Sequence, residues 1–276
     1  MKRKLGVALS GGGARGAYQI GVLKTLQEAG MLDDLVAISG SSVGSLNAVL
    51  LAMKDLRIAE NLWRNEPLDE IFVSDKNVFK RVFEDKLRLP FKGYYKTDKL
   101  EAIMDRTIDY DAIYASNVYV TTSHVGNQKV TLAELLSLNI RNMFDDIDHV
   151  RYTLLKELDR DTIKKTLMAS CAIPVVFKPV VIDNETHYDG GVLDNTPCTP
   201  LINHGCTEII LIDLFRFRRK RQKLPHDITV HTIVPSKNLR GILDFRDKSI
   251  EHRFQTGIKD AEAFIKKHNQ TTSTTP

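Results

Sequence analysis

Cysteine is scarce in this chain. Cys171, Cys198 and Cys206 have no metal-site spacing, and three thiols cannot all pair within one chain. They read as small buried residues in a reducing compartment, which makes a cytoplasmic location the expectation. Long apolar runs are absent too. Nothing approaches the length of a transmembrane helix, and Leu5–Leu9, behind Lys2, Arg3 and Lys4, is too short for a secretory signal core. Neither sign of charge dominates. The formal net charge of +4 is modest, and no nucleic-acid partner is expected. No Asp-rich or EF-type loop is present, so neither calcium nor another metal is implied, and no cofactor is expected.

What is present is an ordinary globular composition, 42% hydrophobic and 27% charged, over 276 residues. That length suits one large α/β domain or two small ones. Buried strands are expected at Leu5–Leu9, Leu35–Ile38, Asn117–Thr122, Val175–Ile182, Glu208–Asp213 and Ile228–Val234. Helical patterns fall between them at Gly16–Ala29, Ser42–Met53 and Thr162–Ser170, and Ser249–Lys267 closes the chain. Several strands lack polar alternation, as strands covered on both faces do. The expected fold is therefore α/β, three-layer α/β/α with a largely parallel central sheet. A single domain spans 1–268, with a cap-like aromatic-rich insertion at about 60–110, and the polar, Thr-rich residues 269–276 form a disordered tail. Two stretches, Lys86–Lys96 and Leu214–Pro225, interleave basic and aromatic residues. The first reads either as a peripheral membrane contact or as a cap packing its aromatics inward, and the second as a surface for an anionic membrane or nucleic acid or as a plain solvated loop.

Gly40-Ser-Ser-Val-Gly44 is a G-x-S-x-G pentapeptide between an apolar strand and an apolar helix. A nucleophile elbow needs that context: the chain turns sharply and holds the Ser42 hydroxyl out at the turn. Gly40 and Gly44 leave room for it, and the N-terminus of the following helix points N–H groups, Val43 first, at any oxyanion beside Ser42. Alone, the string is also compatible with a plain Gly/Ser turn.

Ser10-Gly-Gly-Gly-Ala-Arg-Gly16 follows the first strand and opens the first helix. Two chemistries use such a loop. Gly11, Gly13 and Gly16 satisfy G-x-G-x-x-G, which would make a nucleotide-binding module. However, Asp33 and Asp34 precede the second strand instead of ending it. The other use is an oxyanion hole built from the N–H groups of Gly12 and Gly13, with Arg15 bracing the loop. Asp189-Gly-Gly191 follows an apolar strand pair. Its carboxylate either caps a turn or reaches a neighbouring hydroxyl.

These three segments, in this order, resemble the patatin-like phospholipase family of bacterial type. Ala169-Ser-Cys-Ala-Ile-Pro174 and the stretch around Gly241 and Asp244-Phe245 are similar to two further blocks of that family, so the resemblance covers roughly 4–265. It implies a patatin-like fold and a Ser–Asp dyad without histidine, in which Ser42 is the nucleophile and Asp189 the base. Gly11, Gly12 and Gly13 then fall on the oxyanion loop, Arg15 and Gly16 support it, and Gly190 and Gly191 form the turn after the base. The implied activity is hydrolysis of lipid acyl esters, of phospholipase A or lysophospholipase type. A general esterase or thioesterase acting on soluble acyl groups is the alternative. His187, two residues before Asp189, is expected to be a bystander.

Overall fold

The computed structural model describes residues 3–68, 98–124, 149–173, 177–216, 225 and 227–273. The middle of the expected cap, 69–97, lies outside the described residues, as do both basic–aromatic cores at 86–96 and 217–224. The strands are β1 (Leu5–Leu9), β2 (Leu35–Ser41), β3 (Val118–His124), β4 (Val150–Leu154), β5 (Val180–Ile182), β6 (Glu185–Asp189), β7 (Glu208–Ile212) and β8 (Thr229–Ile233). The helices are α1 (Gly16–Glu28), α2 (Val43–Ala52), α3 (Leu56–Asn65), α4 (Asp98–Thr107), α5 (Tyr110–Tyr114), α6 (Arg160–Ser170), α7 (Thr199–Asn203) and α8 (Asp247–Ser273). Helix α8 runs through 269–273, into the stretch expected to be a tail.

The strands form one mixed sheet in the order β5-β6-β3-β2-β1-β7-β8, with β4 also paired to β3. The centre is parallel: β1 pairs with β2 and β7, β2 with β3, and β7 with β8. The β3–β4, β3–β6 and β5–β6 pairs are antiparallel. Alternation of side chains splits each central strand between two cores. Val7, Leu9, Ile38, Ile210 and Ile212 face a large core with residues of α1, α2, α3 and α8. Ala8, Ala37, Ile209 and Leu211 face a small one closed by Leu201 of α7 and by Cys198 and Cys206. Helices flank the sheet on both faces but unequally, and the bulky layer lies over the large core. Strand β4 has no apolar run, since Arg151 is exposed and its neighbours are half-buried, so sequence pattern passes it by.

One register decides where the site lies. β2 ends with Ser41 beside Thr121 of β3, and β6 ends with Asp189 beside Thr122, the next residue. β4 occupies the other edge of β3 over Tyr119–Ser123. β2 and β6 therefore share one edge of β3, run toward each other, and meet end to end.

Candidate active site

Ser42 leaves β2 with φ 54° and ψ −130°, a left-handed conformation rare for a residue with a side chain. Such strain costs about 1–3 kcal/mol and persists only where its surroundings enforce it. They do so here. A Cβ on Gly40 would lie 2.3 Å from the Gly44 carbonyl oxygen, and one on Gly44 would lie 2.3 Å from that of Leu9, so the strand, turn and helix pack in direct backbone contact. The Ser42 N–H donates to Ser170 Oγ at 3.0 Å, and that hydroxyl donates to the Thr121 carbonyl at 2.7 Å. Ser45 Oγ donates to the Ser42 carbonyl at 2.6 Å.

The meeting of β2 and β6 sets Ser42 against Asp189. Ser42 Oγ donates to Asp189 Oδ2 at 2.6 Å, and the Gly191 N–H donates to Oδ1 at 2.7 Å. Both side chains are buried, 6% exposed for Ser42 and 5% for Asp189. Burial pushes the Asp189 carboxyl up to about 6, and the two hydrogen bonds hold it back from rising further. The turn that follows is as close-packed as the elbow. A Cβ on Gly190 would lie 2.3 Å from the Thr121 carbonyl oxygen, and one on Gly191 would lie 2.6 Å from Asn195 Oδ1. His187 bonds the Thr122 hydroxyl at 3.1 Å and takes no part in this pair.

The glycine loop borders the same point. A Cβ on Gly11 would lie 2.8 Å from Ser42 Cβ, and one on Gly12 would lie 2.7 Å from Leu214 Cδ1. Gly13 has φ +56° and abuts the Ile242 carbonyl, which excludes any side chain there. Gly16 packs on Trp63 and Val43. Among the described residues the N–H groups of Gly12, Gly13 and Val43 donate to no protein group, whereas that of Gly11 turns to the Asn195 carbonyl at 3.4 Å. The Arg15 guanidinium bonds the Arg240 carbonyl at 2.9 and 2.7 Å and the Leu214 carbonyl at 3.4 Å, and it lies over the Phe215 ring. It braces the loop against two C-terminal segments. β2 runs into the Ser42 elbow with Asp33 and Asp34 in the turn before it, so no acid stands at the strand end where a dinucleotide ribose would be held.

Gly13, Ser42 and Val43 are among the residues lining an apolar cleft of about 980 Å³, counted with its open mouth. Leu46, Leu50, Leu100, Met104, Leu167 and Phe177 line much of the rest.

Three supports escape sequence reading. Ser170 holds the Ser42 amide, and its only signal is its place in the Ala169–Pro174 block. A buried chain links Trp63 Nε1 to Asn47 Oδ1 at 2.9 Å, Asn47 Nδ2 to Gln19 Oε1 at 2.8 Å, and Gln19 Nε2 to the Ser10 carbonyl at 2.8 Å, fixing the loop from below. Asn195 Nδ2 donates to the Gly11 carbonyl at 3.3 Å. Polar residues on helices otherwise read as solvated.

Among the described residues no helix is long and apolar enough to cross a membrane. By sequence the chain is 27% identical over 212 residues to lysophospholipase NTE1 of Cryptococcus neoformans, a match covering 77% of this chain and 11% of that protein. It is 25% identical over 212 residues to human patatin-like phospholipase domain-containing protein 6, covering 76% of this chain and 13% of that one. The chain thus spans roughly a tenth of the length of these relatives. Its fold is similar to that of VipD from Legionella pneumophila, with TM-score 0.51 and 13% identity over 95% of this chain and 67% of that one. A family profile described as patatin-like phospholipase matches residues 7–202, which hold the glycine loop, the Ser42 elbow and the Asp189 turn together; on that match the chain belongs to the patatin-like phospholipase family.

Proposed function

We propose that this chain is a serine acyl hydrolase that cleaves a long acyl chain from a lipid ester, with Ser42 as nucleophile and Asp189 as its general base. The 2.6 Å hydrogen bond to a buried, electrostatically unfavoured carboxylate from Ser42 Oγ, on a serine that lines an apolar cleft, carries the reading. As Ser42 Oγ attacks the ester carbonyl, its proton passes to Asp189 and an oxyanion forms. The N–H groups of Gly12, Gly13 and Val43, unpartnered among the described residues, are the donors for that oxyanion, each worth about 3 kcal/mol in a dry, preorganised site. Gly11 serves by its close approach, since its own N–H is turned away. The tetrahedral adduct collapses, the alkoxide leaving group takes the proton from Asp189, and the acyl chain stays on Ser42. Water then attacks with Asp189 again as base.

A carboxylate of ordinary basicity is a poor partner for a serine. Raising Asp189 to about 6 brings its basicity closer to the working pH. The apolar cleft favours a long acyl chain over the short group of a soluble ester. Delivery from a membrane surface belongs to the same proposal, on the sequence character of 86–96 and 214–225. The phospholipase A and lysophospholipase types share this chemistry and differ in the ester presented.

The test is product analysis by mass spectrometry on phospholipid and lysophospholipid vesicles and on soluble short-chain esters, for wild type and Ser42→Ala. Release of long-chain fatty acid by wild type alone is the expected result. Equal release by folded Ser42→Ala would falsify the assignment of the nucleophile. Activity confined to short soluble esters would move the reading to a general esterase.

A further inference from the structure

Arg253, on α8, has the largest side chain among the fully buried described residues, and no part of the chemistry above uses it. Its contacts are unusual for a buried cation, because they are backbone carbonyls. Nε donates to Leu239 O at 2.7 Å, Nη2 to Gly241 O at 2.8 Å, and Nη1 to Asp244 O and, at 3.1 Å, to Ala14 O. The nearby Asp244 carboxylate bonds Arg246 and Ser249 instead. Burial lowers the Arg253 pKa to about 10, which leaves the group charged at neutral pH.

The Ala14 carbonyl shares a peptide unit with the Arg15 N–H. That N–H donates to the Gly12 carbonyl at 3.2 Å. The Gly12 carbonyl in turn shares a peptide unit with the Gly13 N–H, which donates to no protein group among the described residues, and Gly13 lines the cleft together with Ser42. Charge at one end of such a chain polarises each link and strengthens the last donor. We infer that Arg253 is a positioning residue of the reaction. Through the Ala14–Arg15 and Gly12–Gly13 peptide units it orients and polarises the Gly13 N–H toward the oxyanion. This inference rests on the proposed site at Ser42. It assigns to a side chain on the C-terminal helix, beyond the segment matched by the family profile, a share of the transition-state stabilisation.

The experiment uses a long-chain alkyl fluorophosphonate, whose stable adduct on Ser42 places a phosphonyl oxygen where the oxyanion forms. The ³¹P resonance of the adduct is compared with that of the same adduct after denaturation, in wild type, Arg253→Lys and Arg253→Gln, each checked for folding by near-UV circular dichroism. The displacement from the denatured value is expected to shrink from wild type to Lys to Gln. On a soluble ester, kcat of Arg253→Gln is expected to fall about 10-fold with KM within about twofold, a fraction of what loss of a whole oxyanion donor costs. A folded Gln variant with an unmoved ³¹P resonance overturns the inference, whether or not its turnover falls. If the Gln variant does not fold, wild type alone decides. Coupling is reciprocal, so phosphonylation of Ser42 must shift the ¹⁵N resonances of the Arg253 guanidinium, and unmoved resonances overturn the relay. Failure of wild type to label at Ser42 is a different result. It overturns the site reading, and the relay falls with it.

Discussion

Replacing Asp189 by asparagine should stabilise this protein while stopping its turnover. Asparagine keeps the shape of the side chain: Oδ1 still accepts from the Gly191 N–H, and the amide nitrogen can donate to Ser42 Oγ. What disappears is a buried negative charge. The carboxyl is raised from 3.8 to about 6 in the fold, which corresponds to about 3 kcal/mol. Because the folded value lies above the unfolded one, the folded state holds its proton more tightly. Stability from this group is therefore intact below pH 3.8, declines as pH rises from about 4 to about 6, and is lower by the whole amount above that. About 2 kcal/mol of the loss falls between pH 4.5 and pH 8. For a chain of this size that corresponds to roughly 4 °C in Tm. The assay is a pair of thermal melts at those two pH values, wild type against Asp189→Asn. Comparing differences across pH cancels whatever pH-independent effect the substitution has. The advantage of the variant should widen by that amount toward pH 8, and kcat should fall by about 10²–10⁴, the usual worth of a general base. A gap that stays constant or narrows would refute the electrostatic account of the dyad, even if activity were lost.

Other outcomes follow from the same geometry. In wild type, kcat/KM on a soluble ester should fall with unit slope below an apparent pKa near 6, since only ionised Asp189 accepts a proton; a profile flat to pH 4.5 contradicts this. Ser170→Ala strands the buried Ser42 N–H and should cost about 1–3 kcal/mol of stability, read by denaturant titration, together with slower fluorophosphonate labelling. Gly13→Ala meets both a positive φ and the Ile242 carbonyl, so labelling of Ser42 should be all but lost; labelling at the wild-type rate would remove Gly13 from the oxyanion hole. Met104→Trp narrows the cleft and should shift preference toward shorter acyl chains in an ester series of increasing length, while an unchanged profile would place the acyl chain elsewhere.

Much of the candidate site was legible because its parts are local. A strand, a strained turn between two glycines and an apolar helix are dictated within the eighteen residues Leu35–Ala52, and Ser42 needs no distant information to be singled out. The glycine loop is equally local, and with the elbow in place its dinucleotide reading already lacked the acid it required. β1, α1 and α2 followed from apolar pattern alone. Asp189 was different. By itself it read either as a turn cap or as a partner for a hydroxyl, and it does cap a turn, through Oδ1, while Oδ2 faces Ser42. The resemblance to a family supplied what local pattern withheld. The arginine at 253, sitting in an amphipathic helix, gave no sign of burial, and Ser170 none of its bond to the elbow.

The amino-acid sequence by itself determined which groups this protein could use: a hydroxyl on a strained turn, flexible amides, and a carboxylate beside two glycines. Only tertiary structure brings them to one place. β2 and β6 come from opposite ends of a long stretch of chain and run toward each other along one edge of β3, so that Ser41 and Asp189 stand beside consecutive residues, Thr121 and Thr122. Pairing across a sheet depends on register between distant segments, which no local pattern encodes, and the burial that raises the carboxyl exists only once that sheet and its helices have closed over it.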